Sequence, residues 1–352
     1  MLDKVTKGLS SVVALSRVDK RVIQGDAFKQ LASGDIANAL RVQHDANEWL
    51  YALGGAEYNA SNALLHVGYK VAFTNEAAQK RLGIETPAYG AMWMPRLLRD
   101  RVLSPLSPST ESCMIATPPE ISLDEHFISH RKRFVVEAEI ALRIARKIDK
   151  EVMNDVGTLE EVLERFKSPI APFDVDLRPY VDAAALSLEM PDQRVQDSVV
   201  GMVADGVGGA TAVRGPWRYL KRGKFGRHDL CPMQLEHLTL QLSRQKEGQQ
   251  SEEVIDSGHS TEALGSPWLS LQFLAACLVA QGHSLNPGDV VFTGAVALHA
   301  TRTQDEKCDV TNTQYTVRAK SADDSEDPLL PVSARFVAGS ESVRESESLR
   351  PE

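Results

Sequence analysis

Two glutamates inside an apolar, β-branched segment are the feature that most constrains this chain. The segment FVVEAEIALRI, residues 134–144, carries Glu137 and Glu139 on either side of a single alanine. On a β-strand both side chains would point to the same face, with their Cα atoms about 6–7 Å apart. Glutamate is almost never fully buried unless it is paired. Two carboxylates this close need a cation between them, or one of them must keep a proton.

Other structures remain open for this segment. Its isoleucines recur every four residues up to Ile148, and on a helix the two glutamates would point about 200° apart at the surface. They could also lie on the solvent face of a strand. A third glutamate favours a metal site. The segment AAALSLEM, residues 183–190, is a second strand candidate, and alternation places the Glu189 side chain on the face away from its apolar residues. Three carboxylates of this kind suit a hard cation such as Mg²⁺ or Mn²⁺.

Composition and charge restrict the partners. The 352 residues are 43% hydrophobic with a net charge of −9, which is typical of a globular protein without a nucleic-acid partner. We interpret the basic segment 214–228 as a solvated loop. The four cysteines form no CxxC pair, and we find no apolar run long enough to span a membrane. We therefore predict a reduced, cytoplasmic protein without a membrane partner, with a mitochondrial presequence at the basic N-terminus as the alternative.

The hydrophobic periodicity alternates between helical and strand patterns along the chain. We predict helices within 35–53, 158–167 and 266–282, strands at 67–73, 134–144, 183–190 and after the turn in 286–296, a glycine-rich turn at 205–215, loops at 94–125 and 304–329, a final strand in PVSARFVAG, and a polar, disordered tail.

Five segments occur in a fixed order along the chain. They are GYKVAFTNEAAQKRLGIETPAYG (68–90), EAEIAL (137–142), LEMPDQR (188–194), VADGVGG (203–209) and SGHSTEALGSPWLSLQFLAACLVAQGHSLNPGDVVFTG (257–294). This ordered set resembles the fumarylacetoacetate hydrolase superfamily, in the branch of the 2-keto-4-pentenoate hydratases and 4-oxalocrotonate decarboxylases. The resemblance implies an α+β fold, a mixed β-roll or barrel with a helical N-terminal region. We expect a mostly helical region with the lysine strand at 1–115, the catalytic β-roll at 116–340 and the disordered tail at 341–352.

The resemblance also implies roles for individual residues. Glu137, Glu139 and Glu189 match the three carboxylates that hold Mg²⁺ or Mn²⁺ in this family. Lys70 matches a lysine that could clamp the substrate carboxylate or deliver a proton, although a lysine on an exposed strand edge would look the same.

Asp205 matches a family aspartate that could act as a general base, or it is a turn residue before Gly206. Thr293 could bind the substrate through its hydroxyl, or it could cap the end of its strand. The family further implies a small-molecule 2-oxo acid substrate and a homo-oligomer.

The family match predicts a divalent-metal-dependent lyase acting on a 2-oxo or 2-hydroxydienoic acid, as a hydratase or a decarboxylase. The chain departs from the pattern at Gly208 and Gly209, where the family has serines, at Asn75, and at Ala88, where an acid is usual. One alternative is a C–C bond hydrolase acting on an acylpyruvate, which would need a Glu–His pair, with the candidates His126, His130 and His44. The other alternative is a binding protein that has lost catalysis.

Overall fold

The computed structural model of the protein describes residues 9–14, 23–28, 31, 35–55, 64–95, 120–123, 133–167, 173–191, 195–196, 198–207, 211–220, 230–302, 310–321 and 328–338. Within these residues the strands are β1 (Ile23–Gln24), β2 (Leu64–Ala72), β3 (Ala88–Pro95), β4 (Glu120–Leu123), β5 (Arg133–Ile144), β6 (Val181–Met190), β7 (Val195–Gln196), β8 (Thr211–Arg214), β9 (Arg218–Tyr219), β10 (Leu238–Lys246), β11 (Glu253–His259), β12 (Val290–Phe292), β13 (Ala297–Arg302), β14 (Thr313–Ser321) and β15 (Val332–Ala338). The helices are α1 (Ile36–Gly55), α2 (Glu76–Leu82), α3 (Leu159–Arg165), α4 (Val199–Ala204) and α5 (Pro267–Ala280).

Two mixed sheets form most of the described fold. The eight-stranded sheet has the order β3-β2-β12-β5-β6-β8, with β13 also pairing with β5 and β9 with β6. The five-stranded sheet has the order β11-β10-β14-β15-β4. Alternate residues of both sheets face a shared core, in which Leu186 of β6, Leu240 of β10 and Phe336 of β15 are fully buried. This arrangement confirms the predicted α+β roll with a helix, α1, on its N-terminal side.

The helix α5 is the most buried helix and lies inside this core. It begins at Pro267, after Ser266, whose side chain accepts a hydrogen bond from the Trp268 amide as an N-cap. Apolar residues surround its whole circumference, which is the pattern of a helix buried on all sides. Among the described residues, Ser260–Ala280 is long and apolar enough to cross a membrane, but 78% of its most apolar part is buried inside the protein, as in a core helix.

The predicted elements agree with the structure where periodicity was strong. The strands β2, β5, β6 and β12 and the helices α1, α3 and α5 are confirmed. The predicted loop at 304–329 was wrong for Thr313–Ser321, because this polar segment, β14, is a central strand between β10 and β15. The predicted loop at 94–125 was wrong for the end of β3 and for β4, and residues 96–119 and 124–125 lie outside the described residues.

The predicted division at residues 115 and 116 separates strands that pair in the structure. Parallel pairing joins β2 to β12, with Lys70 opposite Phe292. The strands β2 and β3 of region 1–115 therefore share a sheet with strands of the predicted catalytic region. The predicted tail at 341–352 lies outside the described residues.

Candidate active site

The pairing of β5 with β6 brings the predicted carboxylates together. The two strands are antiparallel, and their register places Glu137 directly opposite Glu189 and Glu139 opposite Ser187. Since side chains alternate along a strand, Glu137 and Glu139 share a face with Glu189. One carboxylate oxygen from each residue lies within 4.8 Å of the other two. The helical alternative for residues 134–144 is therefore excluded.

Lys70 enters this cluster from β2. Its Nζ lies 2.5 Å from Glu137 Oε2, 3.0 Å from Glu189 Oε1 and 3.6 Å from Glu139 Oε1. The lysine is only 2% exposed, so the alternative of a lysine on a solvent-exposed edge does not hold. One ammonium faces three carboxylates, and the group carries a formal charge of −2 if all four side chains are ionised.

Burial shifts the proton equilibria of the cluster. Burial raises the pKa of Glu139 well above its ordinary value, although Lys70 opposes the shift. Burial likewise raises the pKa of Glu189 from 4.5 to about 7, again against the attraction of Lys70. Burial alone would lower the pKa of Lys70, but attraction to the three carboxylates outweighs it and the pKa is raised. The ammonium thus stays charged while two carboxylates resist ionisation.

The carboxylate oxygens retain unused acceptor capacity. Both oxygens of Glu189 and Oε1 of Glu139 are buried and accept no hydrogen bond from the described part of the chain. Lys70 and Glu189 form an ion pair whose geometry falls outside that of a hydrogen bond. Buried acceptors normally have partners, and clustered carboxylate oxygens are what a hard divalent cation prefers. These residues therefore fit Mg²⁺ or Mn²⁺.

The backbone after β12 completes one side of the cluster. Gly294 has a φ of 108°, and its amide donates a 3.1 Å hydrogen bond to Glu139 Oε2. Thr293 is fully buried, and its hydroxyl donates to the carbonyl of Ile140 at 3.1 Å. This contact corresponds to the strand-end role considered for Thr293, and its part in substrate binding stays a prediction. Between β12 and β13 the regular pairing with β5 is interrupted beside Glu139, where the backbone amides of Thr293 and Val296 still donate to β5 carbonyls.

A cavity of about 250 Å³ opens onto Lys70 and Glu137. Most of its wall is apolar and consists of Ala72, Phe73, Ala78, Leu82, Val135, Pro191, Met202, Val207, Ala295, Leu298 and Ala300. Polar lining comes from Thr74, Asn75 and Arg81. A larger depression of about 620 Å³ around α3 contains none of the predicted site residues, so we assign the site from its chemistry to the smaller cavity.

Two wall residues adopt an uncommon backbone conformation. Phe73 has a φ of 57° and Val207 a φ of 52°, in the left-handed region that side chains with a Cβ rarely occupy. Strain of this kind is found mainly at functional sites, where surrounding contacts enforce it. The sequence gives no signal for it, because neither residue is a glycine or asparagine.

Asp205 lies behind this wall. It is the C-terminal cap of α4 and is 3% exposed, next to Gly206 and the wall residue Val207. The Gly206 carbonyl approaches Gly90 of β3 so closely that a Cβ on Gly90 would lie 2.0 Å from its oxygen. The turn is therefore pressed against the sheet, and the general-base role of Asp205 stays a prediction.

The remaining sequence candidates fall in several places. Asn75 caps α2, since its side chain accepts a 2.7 Å hydrogen bond from the Ala78 amide, and Ala88 is fully buried in β3. His44 is on α1, where it contacts His283 rather than the carboxylates. Gly208, Gly209, His126 and His130 lie outside the described residues.

Comparison with known proteins places this arrangement in context. No protein-family model matches the chain. The 2-keto-4-pentenoate hydratase of Paraburkholderia phymatum is 27% identical over 245 residues, covering 68% of this chain and 71% of that protein. The 2-keto-4-pentenoate hydratase 2 of Dechloromonas aromatica is 26% identical over 247 residues, covering 69% and 73%.

Solved structures share the fold at lower sequence identity. The 4-oxalocrotonate decarboxylase from Pseudomonas putida G7, complexed with magnesium and adipate, superposes with a TM-score of 0.61 at 19% identity over 96% of this chain and 98% of that one. Its complex with calcium and acetate gives the same TM-score. The chain is thus similar in sequence to 2-keto-4-pentenoate hydratases, and it shares its fold with a 4-oxalocrotonate decarboxylase.

Proposed function

We propose that this chain is a divalent-metal-dependent lyase that acts on a 2-oxo or 2-hydroxydienoic acid, by hydration or by decarboxylation. The observation that carries this proposal is the buried group of Glu137, Glu139, Glu189 and Lys70 at the base of a cavity. The relatives are named as hydratases, and the structural neighbour is a decarboxylase solved with magnesium. All three observations support the same class of enzyme.

The three glutamates would hold Mg²⁺ or Mn²⁺ through the oxygens that lack other partners. A bound divalent ion supplies Lewis-acid stabilisation of the negative charge that develops on the substrate. Glu137 is the carboxylate that also lines the cavity, so it lies nearest to the substrate. The Gly294 amide fixes the orientation of Glu139 and leaves the other oxygen of that carboxylate free for the ion.

Lys70 would bind the carboxylate end of the substrate and hold a proton at Nζ. Its ammonium lines the cavity and is already surrounded by negative charge. A substrate carboxylate entering the cavity would find this cation at its base. The apolar wall would exclude water from the unsaturated carbon chain, which strengthens electrostatic interactions at the reacting atoms.

Arg81 suggests which substrates suit this cavity. It projects from α2 into the lining of the cavity and makes no ion pair with any residue in the described ranges. Lys70 and Arg81 are the cations of the described lining. A substrate with a second carboxylate could pair with Arg81 while its 2-oxo acid end occupies the base. We therefore favour a diacid, which supports decarboxylation as the first reaction to test.

The acylpyruvate hydrolase alternative gains no support from the cavity. That reaction would need a histidine beside a glutamate, and no histidine is found in the described lining. The binding-protein alternative leaves unexplained why three carboxylates, two of them fully buried, lie together at an energetic cost. The relatives are bacterial enzymes, which supports a cytoplasmic location. They give no support to a mitochondrial location. The homo-oligomer stays a prediction.

The test is turnover of a substrate panel by the full chain. The protein is stripped with EDTA, supplied with Mg²⁺ or Mn²⁺, and incubated with 2-hydroxydienoates, 2-oxo diacids and acylpyruvates, with products identified by mass. We expect metal-dependent loss of CO₂ or gain of water, and Glu139→Gln should abolish it. The matched control is Glu151→Gln, an exposed glutamate outside the cluster. Metal-independent turnover, or none with any substrate, would contradict the proposal.

The charge preference has its own test. Arg81→Gln should lower kcat/KM for a diacid relative to its monoacid analogue by about tenfold, equivalent to about 1.4 kcal/mol. Lys80→Gln is the matched control, because Lys80 is exposed on the same helix but does not line the cavity. An unchanged ratio in Arg81→Gln would remove the argument for a diacid and leave the lyase proposal standing.

A further inference from the structure

A second group of metal-ligating side chains lies away from the cavity, where α1 passes the end of α5. His44 and Glu48 are four residues apart on α1 and therefore lie on the same face of the helix. His283 follows α5, and its Nε2 lies 2.8 Å from His44 Nδ1 and 4.0 Å from Glu48 Oε1. One possible ligand atom from each residue lies within 4.8 Å of the others.

The backbone holds His283 in this position. After α5, the Gly282 amide donates to the carbonyl of Val279 at 3.0 Å, and the His283 amide donates to that of Leu278 at 2.9 Å. These two bonds form the turn that commonly ends a helix. Gln281 adds a 2.6 Å hydrogen bond from its Nε2 to the Tyr89 hydroxyl. The imidazole is thus directed towards α1 by fixed backbone rather than by a free loop.

We propose that His44, Glu48 and His283 form a second divalent metal site, which takes Zn²⁺. Two imidazole nitrogens and one carboxylate oxygen are a known zinc ligand set, with a fourth position left for water. Imidazole nitrogen suits zinc, whereas Mg²⁺ and Mn²⁺ prefer oxygen. The chain would therefore hold two different ions, a hard one among the three glutamates and Zn²⁺ between the helices.

The geometry needs only a small adjustment to accept the ion. Ligands about 2.0–2.1 Å from a tetrahedral zinc ion lie roughly 3.3–3.4 Å from each other. The two ring nitrogens, now 2.8 Å apart, would separate by about half an ångström, and the Glu48 oxygen would move closer by a similar amount. The side chains of His283 and Glu48 are 35% and 56% exposed, so an ion and its water can reach them from solvent.

The site would join α1 to the turn after α5. Next to His44, Gln43 Nε2 donates to the carbonyls of Tyr89 at 2.8 Å and Val203 at 2.7 Å. Val203 belongs to α4, whose Met202 lines the catalytic cavity. A zinc ion at His44 would therefore stiffen a helix that supports the cavity wall, which gives the site a structural role separate from the chemistry.

The experiment is a zinc titration of the full chain in the presence of excess Mg²⁺, which occupies the glutamate site. Zinc binding is followed by competition with a chromophoric chelator, and Co²⁺ replaces Zn²⁺ in a parallel titration to detect the visible absorption of a tetrahedral site. The variants are His44→Gln, His283→Gln and Glu48→Gln. The matched control is His237→Gln, an exposed histidine outside the group.

We expect one zinc ion per chain, bound at least tenfold more weakly by each histidine variant and unchanged in the control. Zinc should raise the melting temperature of the wild type but not of His283→Gln, and turnover with Mg²⁺ should persist in all variants. If a histidine variant does not fold, Glu48→Gln at the surface still tests the site through its weakened affinity. Equal zinc binding by wild type and variants, or no binding, would overturn the proposal and leave a hydrogen-bonded histidine pair.

Discussion

Replacing Glu189 by glutamine tests whether the carboxylate cluster is built for a cation. The side chain is fully buried, and its oxygens accept no hydrogen bond from the described residues. Burial raises its pKa from 4.5 to about 7, with Lys70 opposing and Glu137 reinforcing the shift. At 1.36 kcal/mol per pKa unit, the ionised carboxylate destabilises the metal-free fold by about 3 kcal/mol.

The sign of the pH dependence follows from proton binding. An acid with a higher pKa in the folded state binds more protons there than in the unfolded chain between pH 4.5 and about 7. The stability of the metal-free protein therefore falls as the pH rises through this window. Glutamine has no proton to lose, so Glu189→Gln should be more stable than wild type by about 3 kcal/mol at pH 8 and by about 1 kcal/mol at pH 5.

The assay is urea unfolding in EDTA at both pH values, repeated at pH 8 with Mn²⁺. At a hundredfold excess over the dissociation constant, Mn²⁺ should stabilise the wild type by about 2.7 kcal/mol and the variant by much less. Glu151→Gln, at an exposed position, should behave as wild type throughout. If Glu189→Gln is instead less stable than wild type in EDTA at pH 8, attraction to Lys70 outweighs the burial cost and the reasoning is refuted.

Three further changes test other parts of the site and core. Lys70→Met should lower kcat by about 10²–10⁴-fold while tightening Mn²⁺ binding, because it removes a positive charge from the ligand group. Retained turnover in steady-state assays would contradict the role of Lys70 in binding substrate and holding a proton. Gly90→Ala places a Cβ 2.0 Å from the Gly206 oxygen, so we expect the free energy of unfolding in urea to fall by about 1–3 kcal/mol and KM to rise. An unchanged stability would show that the turn after α4 moves freely. Leu186→Ala, at a fully buried position, should cost about 2–5 kcal/mol by the same measurement, and a loss below about 1 kcal/mol would contradict the described core.

The carboxylates were predictable because strand periodicity is local. Alternation alone places Glu137 and Glu139 on one face, and parity within the second segment places Glu189. Their meeting is not local: it depends on the register that sets Glu137 opposite Glu189. No property of either segment alone specifies that register. The family resemblance indicated indirectly that the three glutamates lie close together, because it assigns all of them to one metal.

Other parts of the site had no sequence signal of their own. Lys70 reaches the cluster because β2 pairs with β12, which in turn pairs with β5. The left-handed Phe73 and Val207 are set by their surroundings rather than by residue type. The strand β14 was missed because polar residues alternate through it, and a strand with one polar face resembles a loop in composition.

The register between β5 and β6 also limits how this site can change during evolution. A slip by one residue beside the glutamates would turn Glu189 to the other face of the sheet and remove a ligand. An insertion at this end of the two strands would therefore disrupt the site, whereas the register shift at Arg143 lies away from it. The cavity wall contributed by α2 and the turn after α4 is not tied to that register. Substrate preference can therefore diverge through those two segments while the ion-binding residues stay unchanged, and they are where variation should be introduced to redirect the enzyme.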